Sequence, residues 1–241
     1  MARRRALYVE TVIRADLDDL WRQTQEPHLH QRWDLRFTRI DHLPKAEPAA
    51  EQRFRYSVRV LPGLTVDGTG VSVGERTKPD GSRTSALRFS SAHPLSLIRS
   101  GAGYWRYVPT SAGIRFLTGY DYQPGWGRLG ALADRPFRLL MGWGTAWSFD
   151  RLRLWIERGV PPEVSLRRAL LDVGTRLAAC AIAWWAVAWW AVPVVLAAVL
   201  TLAALLVPPL PSTPAARRCR RTAPDRRSST APSTLFTLEH P

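Results

Sequence analysis

The chain has 241 residues, 46% of them hydrophobic and 22% charged, with 34 Lys plus Arg against 20 Asp plus Glu and only two cysteines. So many aliphatic and aromatic groups exclude a wholly disordered polymer, and the length suits one domain of ordinary size plus a smaller unit. Cys180 in an apolar run and Cys219 among arginines supply neither a cysteine zinc site nor a disulfide framework. Residues 1–5 lack the apolar stretch and cleavage site of a secretory signal, so the domain that follows is expected to stay on the side where it is made. Residues 6–13 read as a strand. Asp16 then caps a short helix carrying Leu17, Leu20 and Trp21 at helical spacing, and Pro27 opens a second short helix through Arg32. From 35 to 122 the pattern is a run of β segments, 35–43, 52–60, 65–77, 83–91, 102–109 and 113–122, parted by turn-formers such as Pro62-Gly63 and Pro79-Asp80-Gly81. The short gaps predict an antiparallel sheet. Arg53, Arg55 and Arg59 alternate with Phe54, Tyr56 and Val58, the period-two mark of a strand wet on one face. A long helix is expected from Asp134-Arg-Pro136, where Asp caps and Pro fits the first turn, with one stripe lying on the sheet and Gly159 ending it.

The wording of these elements is more specific than their order. Ala6-Leu-Tyr-Val-Glu-Thr-Val-Ile13, then Asp19-Leu-Trp21, then Pro27-His-Leu-His-Gln-Arg-Trp33-Asp34 resemble the opening of START-like, or SRPBCC, domains. The later Gly144-Thr-Ala-Trp-Ser-Phe-Asp-Arg-Leu-Arg-Leu-Trp155 is similar to the C-terminal helix of bacterial members. The resemblance covers about residues 5 to 160. It implies an α+β helix-grip fold, a curved antiparallel sheet around a long C-terminal helix, with an apolar cavity between the two. The superfamily includes lipid-transfer domains, quinone-binding proteins and aromatic polyketide cyclases. A concave, mostly apolar pocket with a few polar groups is also where small molecules bind on general grounds.

On that fold the expected lining is Phe54, Tyr56, Val58, Leu87, Phe89, Trp105, Tyr107, Phe116, Tyr120 and Tyr122 from the strands, with Phe137, Leu140 and Trp147 from the helix. Each of these residue types is also ordinary core material. Trp33-Asp34 closes the second helix near the expected mouth, with His28 and His30 one turn earlier. A His/Asp pair there could act as acid and base, yet the simpler expectation is exposed histidines with Trp33 as a packing anchor. No residue is assigned as catalytic. No dinucleotide loop, nucleophile elbow or metal-spaced cluster is present in the sequence, and neither a cofactor nor a metal is expected.

Beyond residue 165 the composition changes. Residues 1–165 hold 25 basic against 17 acidic side chains, the remainder 9 against 3, and residues 177–207 are 31 positions without a formal charge. Such a run exceeds the ~20 residues that cross a bilayer. Pro193 follows Trp184, Trp185, Trp189 and Trp190 in its middle, which favours a bend and a helical hairpin with the tryptophans at the far interface over one tilted span. The organisation expected is a ligand-binding domain over 1–165, a membrane segment of one or two helices over 166–210, and a disordered basic tail over 211–241. Arg55, Arg59, Arg88 and Arg106 could form a stripe that meets phosphates, but the densest arginines, from Arg217 to Arg227, flank the apolar run, so the expected partner is a bilayer rather than nucleic acid. The functions expected are cytoplasm-facing, membrane-anchored binding of a hydrophobic small molecule or lipid, a cyclase or aromatase acting in the same cavity, or a scaffold whose cavity is self-filled.

Overall fold

A computed structural model describes residues 6–45, 47, 51–74, 77–190 and 192–237. Strand β1 (Leu7–Ile13) is followed by helices α1 (Leu17–Gln25) and α2 (Pro27–Trp33). Six strands then run in sequence: β2 (Arg39–His42), β3 (Gln52–Leu61), β4 (Leu64–Gly74), β5 (Arg83–Ser90), β6 (Ile98–Thr110) and β7 (Gly113–Pro124). Helices α3 (Gly127–Arg158), α4 (Pro162–Trp190) and α5 (Val194–Leu206) complete the main elements. All seven strands form one antiparallel sheet in the order β1-β7-β6-β5-β4-β3-β2. Meander hairpins build it, and β1 closes beside β7 because the two helices between β1 and β2 carry the chain across the concave face. With α3 laid along β1 and β7, this is the helix-grip architecture.

Local chemistry explains the elements. Asp16 caps α1 by accepting the Asp18 N–H at 2.8 Å, and Pro27 occupies the first turn of α2, where its missing N–H costs nothing. The strands expected over 52–60, 83–91, 102–109 and 113–122 are present with edges shifted by a few residues. The segment 35–43 contracts to Arg39–His42, because the Asp34 carboxylate holds the Arg36 N–H at 3.0 Å in a turn instead. The end of the 65–77 segment falls partly outside the described residues.

Two expectations are corrected. Helix α3 starts at Gly127, not at 134–136, so Pro136 sits inside the helix, on its exposed side. A proline there removes one hydrogen bond of the helix, the one to the carbonyl of exposed Leu132. The chain enters α3 through Trp126 and Gly127, both in the left-handed region at φ 57° and 53°. The second correction concerns the tail. Residues 211–237, read from composition as disordered, pack back on the domain. Ala216 and Cys219 join the main core, and Ala223, Ala231 and Leu235 lie against Tyr8, Tyr104 and Leu117 on the outer face of the sheet. Arg220 exchanges two backbone hydrogen bonds of 2.9 Å with Glu10 at the free edge of β1. The composition misled because mostly small side chains, with Leu235 a large exception, fill these contacts.

Inward residues of β1, β6 and β7 meet the C-terminal half of α3 in an aromatic core. Phe116 stacks on Phe149 at 4.4 Å, and Trp33 and Trp105 pack around them. Trp33, Tyr107, Phe116 and Phe149 are fully buried. Each such side chain contributes up to about 3 kcal/mol of hydrophobic stabilisation.

Candidate functional site

All ten strand residues expected to line a cavity do face the concave side. The register puts Phe54 and Tyr56 of β3 opposite Gly70 and Gly68 of β4, and Leu87 and Phe89 of β5 opposite Gly103 and Gly101 of β6. A Cβ at Gly70 would strike the Phe54 ring, and one at Gly101 the Phe89 ring, so these bare positions let the rings lie flat on the sheet. The ten do not form one site. Trp105, Tyr107 and Phe116, with Trp147 from α3, belong to the filled core. The Tyr107 hydroxyl is taken up by Thr24 at 2.6 Å and by the Gln25 amide, which donates to it at 3.0 Å. Phe54 and Tyr56 form a separate cluster with Ile40, against which Phe37, Val58 and Phe89 pack while remaining partly exposed. Leu87 is also only partly covered. The other concave residues, Tyr120 and Tyr122, are buried.

The N-terminal half of α3 gives this second region little cover. Phe137 reaches Tyr122 edge-on at 5.8 Å, but Leu140, expected to line the cavity, is 60% exposed and points away. The reason is the earlier start of α3, whose first turns stand clear with Leu129, Leu132 and Leu139 in the open. The concave side is thus solid beneath the second half of α3 and partly open over β3 to β5.

At the border of the two regions lies a buried polar cluster. Asp34, fully buried, accepts two hydrogen bonds from the Arg36 guanidinium, at 2.9 and 2.6 Å, and lies 3.1 Å from Nε2 of His30. His30 is packed between aromatic rings, stacked on Trp33 at 5.0 Å and edge-on to Trp105 at 4.9 Å and Phe37 at 5.2 Å. Arg36 lies 5.5 Å over the ring of Tyr120, whose hydroxyl is 3.0 Å from that of Thr145 on α3. Burial keeps His30 neutral by pushing its pKa below the ordinary value, against the pull of Asp34. Burial opposes ionisation of Asp34 as well, but the Arg36 charge and the bonds from His30 and Arg36 hold its carboxyl well below the usual carboxylate range. Burial also raises the Tyr120 hydroxyl, which Arg36 only partly offsets.

The cluster divides the sequence expectations. Trp33 is the packing anchor, and His28 is exposed at 71% of its side chain, but His30 is 12% exposed and inside. Arg36 and Thr145 were missed. The spacing Asp34-x-Arg36 after a helix end was the available signal, since an acid two residues before an arginine can both cap the turn and pair with it. Asp121 of β7 is half exposed and pairs with Arg138 of α3. Arg106 and Arg88 of the supposed phosphate stripe donate instead to the carbonyls of Thr230 and Leu235 in the returning tail.

Chemically, the arrangement offers an aromatic floor, one internal ion pair and a neutral His/Asp pair with two hydroxyls nearby. A groove of about 570 Å³ opens at one end, between residues 90–100 and the start of α3. It is latched there by the Trp126 indole N–H to the Pro94 carbonyl at 3.0 Å and the Gly125 N–H to the Leu97 carbonyl at 2.8 Å. A larger groove of about 770 Å³ runs beside α2 and the edge strand β2, and its walls are mostly polar, including His28, Gln31, Arg39, Asp41 and Arg59. Among the described residues no group of three or more metal-ligating side chains occurs.

No family model matches the chain. It is 49% identical over 173 residues to the uncharacterized membrane protein YndG of Bacillus subtilis, a match that covers 71% of this chain. The chain spans 64% of the length of that relative. Among solved structures it is similar to a STAR-related lipid transfer protein from Xanthomonas axonopodis, with 20% identity, a TM-score of 0.48 and coverage of 62% of this chain and 84% of the other. It is also similar to the di-domain ARO/CYC StfQ of the steffimycin biosynthetic pathway, with 15% identity, a TM-score of 0.47 and coverage of 63% and 50%.

Proposed function

We propose that the chain is a membrane-associated domain that binds a hydrophobic small molecule or lipid on the concave face of its sheet. The observation that carries this reading is the row of inward-facing but only partly covered apolar side chains over β3 to β5, Val58, Leu87 and Phe89, next to buried Phe54 and Tyr56, with Phe37 linking Tyr56 to the Asp34–Arg36 pair. Apolar surface turned inward yet left partly uncovered is costly unless something else covers it, and one buried polar cluster at its edge can orient a guest. The latch between Trp126 and Pro94 is the place where the guest would pass. Membrane association is supported by the long apolar helix α4 and by the membrane-protein relative, and it would hold the pocket beside a reservoir of poorly soluble ligand. The domain would face the cytoplasm.

The test is mass spectrometry of organic extracts from protein purified out of its native membrane. One apolar species at near-stoichiometric amount is expected, and it should be lost from Leu87→Trp, which fills the floor. Extracts that never contain a bound apolar species would overturn the reading.

The His30–Asp34 pair favours one alternative, a cyclase or aromatase working on a chain held in the same place, with His30 as base. Turnover of a polyketide-like substrate that is abolished in His30→Gln would support it, whereas ligand retention without turnover would leave binding as the function.

A further inference from the structure

We propose that α4 and α5 form a two-legged membrane anchor that enters and leaves the bilayer on one side, so that the sheet domain and residues 211–237 share a compartment. The inference rests on the membrane association above and adds its topology. Both legs are fastened to consecutive, buried residues of α3. Arg151 donates to the Pro162 carbonyl at the root of α4, at 3.0 Å, while holding the Arg32 and Trp33 carbonyls at 3.0 and 3.1 Å. Asp150, next to it, accepts the Ala215 N–H and the Arg218 guanidinium, both at 2.8 Å, just after α5. Two chain ends held by neighbouring residues of one helix cannot lie on opposite faces of a membrane.

The legs also fit each other and a bilayer. The Trp184 indole donates to Thr201 at 3.0 Å, and Arg176, paired with Asp172, donates to the Ala204 and Val207 carbonyls, which the end of α5 leaves open. Unserved carbonyls are not tolerated in hydrocarbon, so this arginine has a role that a solvated helix would not need. Positions 177–190, the uncharged part of α4, rise about 21 Å and the 13 residues of α5 about 20 Å, so the legs match each other, and the short pair crosses a core of about 30 Å by thinning the bilayer around it. Both legs turn apolar side chains outward, and Trp185, Trp189 and Trp190 stand exposed at the turn, suited to the far headgroup layer. Arg167, Arg168, Arg217 and Arg221 are exposed at the base, which makes that side cytoplasmic by the positive-inside tendency.

Single cysteines placed in a Cys180→Ala/Cys219→Ala full-length background test this, with a membrane-impermeant maleimide added to sealed spheroplasts and to inside-out vesicles. Arg55→Cys on the sheet and Arg221→Cys in the tail, both exposed, should label only in inside-out vesicles, and Val192→Cys at the turn only in spheroplasts. Labelling of positions 55 and 221 from opposite sides would overturn the proposal in favour of one span. A position 192 that labels from the domain's side, or from neither, would overturn the crossing. Release of the protein by alkaline carbonate would overturn membrane association itself, independently of the topology.

Discussion

Replacing Asp34 by Ala should destabilise the domain sharply, and replacing Arg36 by Met in addition should restore most of the loss. Asp34 has no exposed surface and makes a forked pair with the Arg36 guanidinium, a bond to the Arg36 N–H and a contact with His30. Removing it leaves a buried guanidinium without its counter-charge. Breaking a buried pair in this way costs about 3–5 kcal/mol, whereas replacing both partners with apolar groups is often close to neutral. For a chain of this size 1 kcal/mol moves the midpoint by roughly 2–4 °C, so Asp34→Ala should melt roughly 6–20 °C lower and the double variant within a few degrees of the parent. Thermal melts of the detergent-solubilised full chain, arranged as a double-mutant cycle, provide the measurement. A single variant that melts normally, or a double variant as unstable as the single, would refute the ion-pair account. If the cluster also orients a ligand, the restored double variant should fold normally and yet lose the bound species.

Stability should fall on acidification below about pH 6.5, the ordinary histidine value. Burial lowers the pKa of His30 in the folded state, so at mildly acid pH the unfolded chain takes up a proton that the folded chain refuses. The group contributes a slope of at most about 1.4 kcal/mol per pH unit, and His30→Gln should flatten the curve of melting temperature between pH 7.5 and 5.5. Gly101→Ala should cost about 1–3 kcal/mol in a denaturant titration, since the new Cβ would sit against the Phe89 ring and 2.9 Å from the Asp121 carbonyl oxygen. In a Cys180→Ala background, Cys219 should resist alkylation at neutral pH, because burial pushes its thiol up to about 12 and its sulfur donates to the Ala146 carbonyl at 3.2 Å. Asp150→Asn should weaken the hold on Arg218 and speed that alkylation several-fold, and an unchanged rate would count against the proposed docking of the tail.

Much of the sheet was legible because its information is local. Alternation in Arg53-Phe54-Arg55-Tyr56 fixes which side chains turn inward, whatever lies beyond, and all ten strand residues named from the pattern share the concave side. Pattern alone does not tell a lining residue from a core residue. Trp105 and Phe89 look alike in sequence, and they differ because α3 leans on β1 and β7 instead of crossing the middle of the sheet. The start of α3 was misplaced because Pro136 is a good first-turn residue and an equally tolerable one on a wet helix face. Asp150 and Arg151 fall within the 144–155 stretch that carries the resemblance, but nothing local in it names their partners. Their burial acquires meaning only when residues 162 and 215, distant along the chain, arrive beside them. His30 was undervalued for a similar reason, since two of the rings that enclose it, Phe37 and Trp105, belong to later elements.

The docking of residues 215–219 has a consequence for the order of events during synthesis. Ala216 and Cys219 are part of the main core, and Asp150 is left with a partner on one side only until Arg218 emerges. These residues leave the ribosome after the greasy hairpin does. The sheet domain therefore cannot finish folding ahead of its own tail; until residues 215–219 appear it keeps an open seam along β1 and an acidic socket unfilled, and if the hairpin inserts as proposed, insertion precedes that closure.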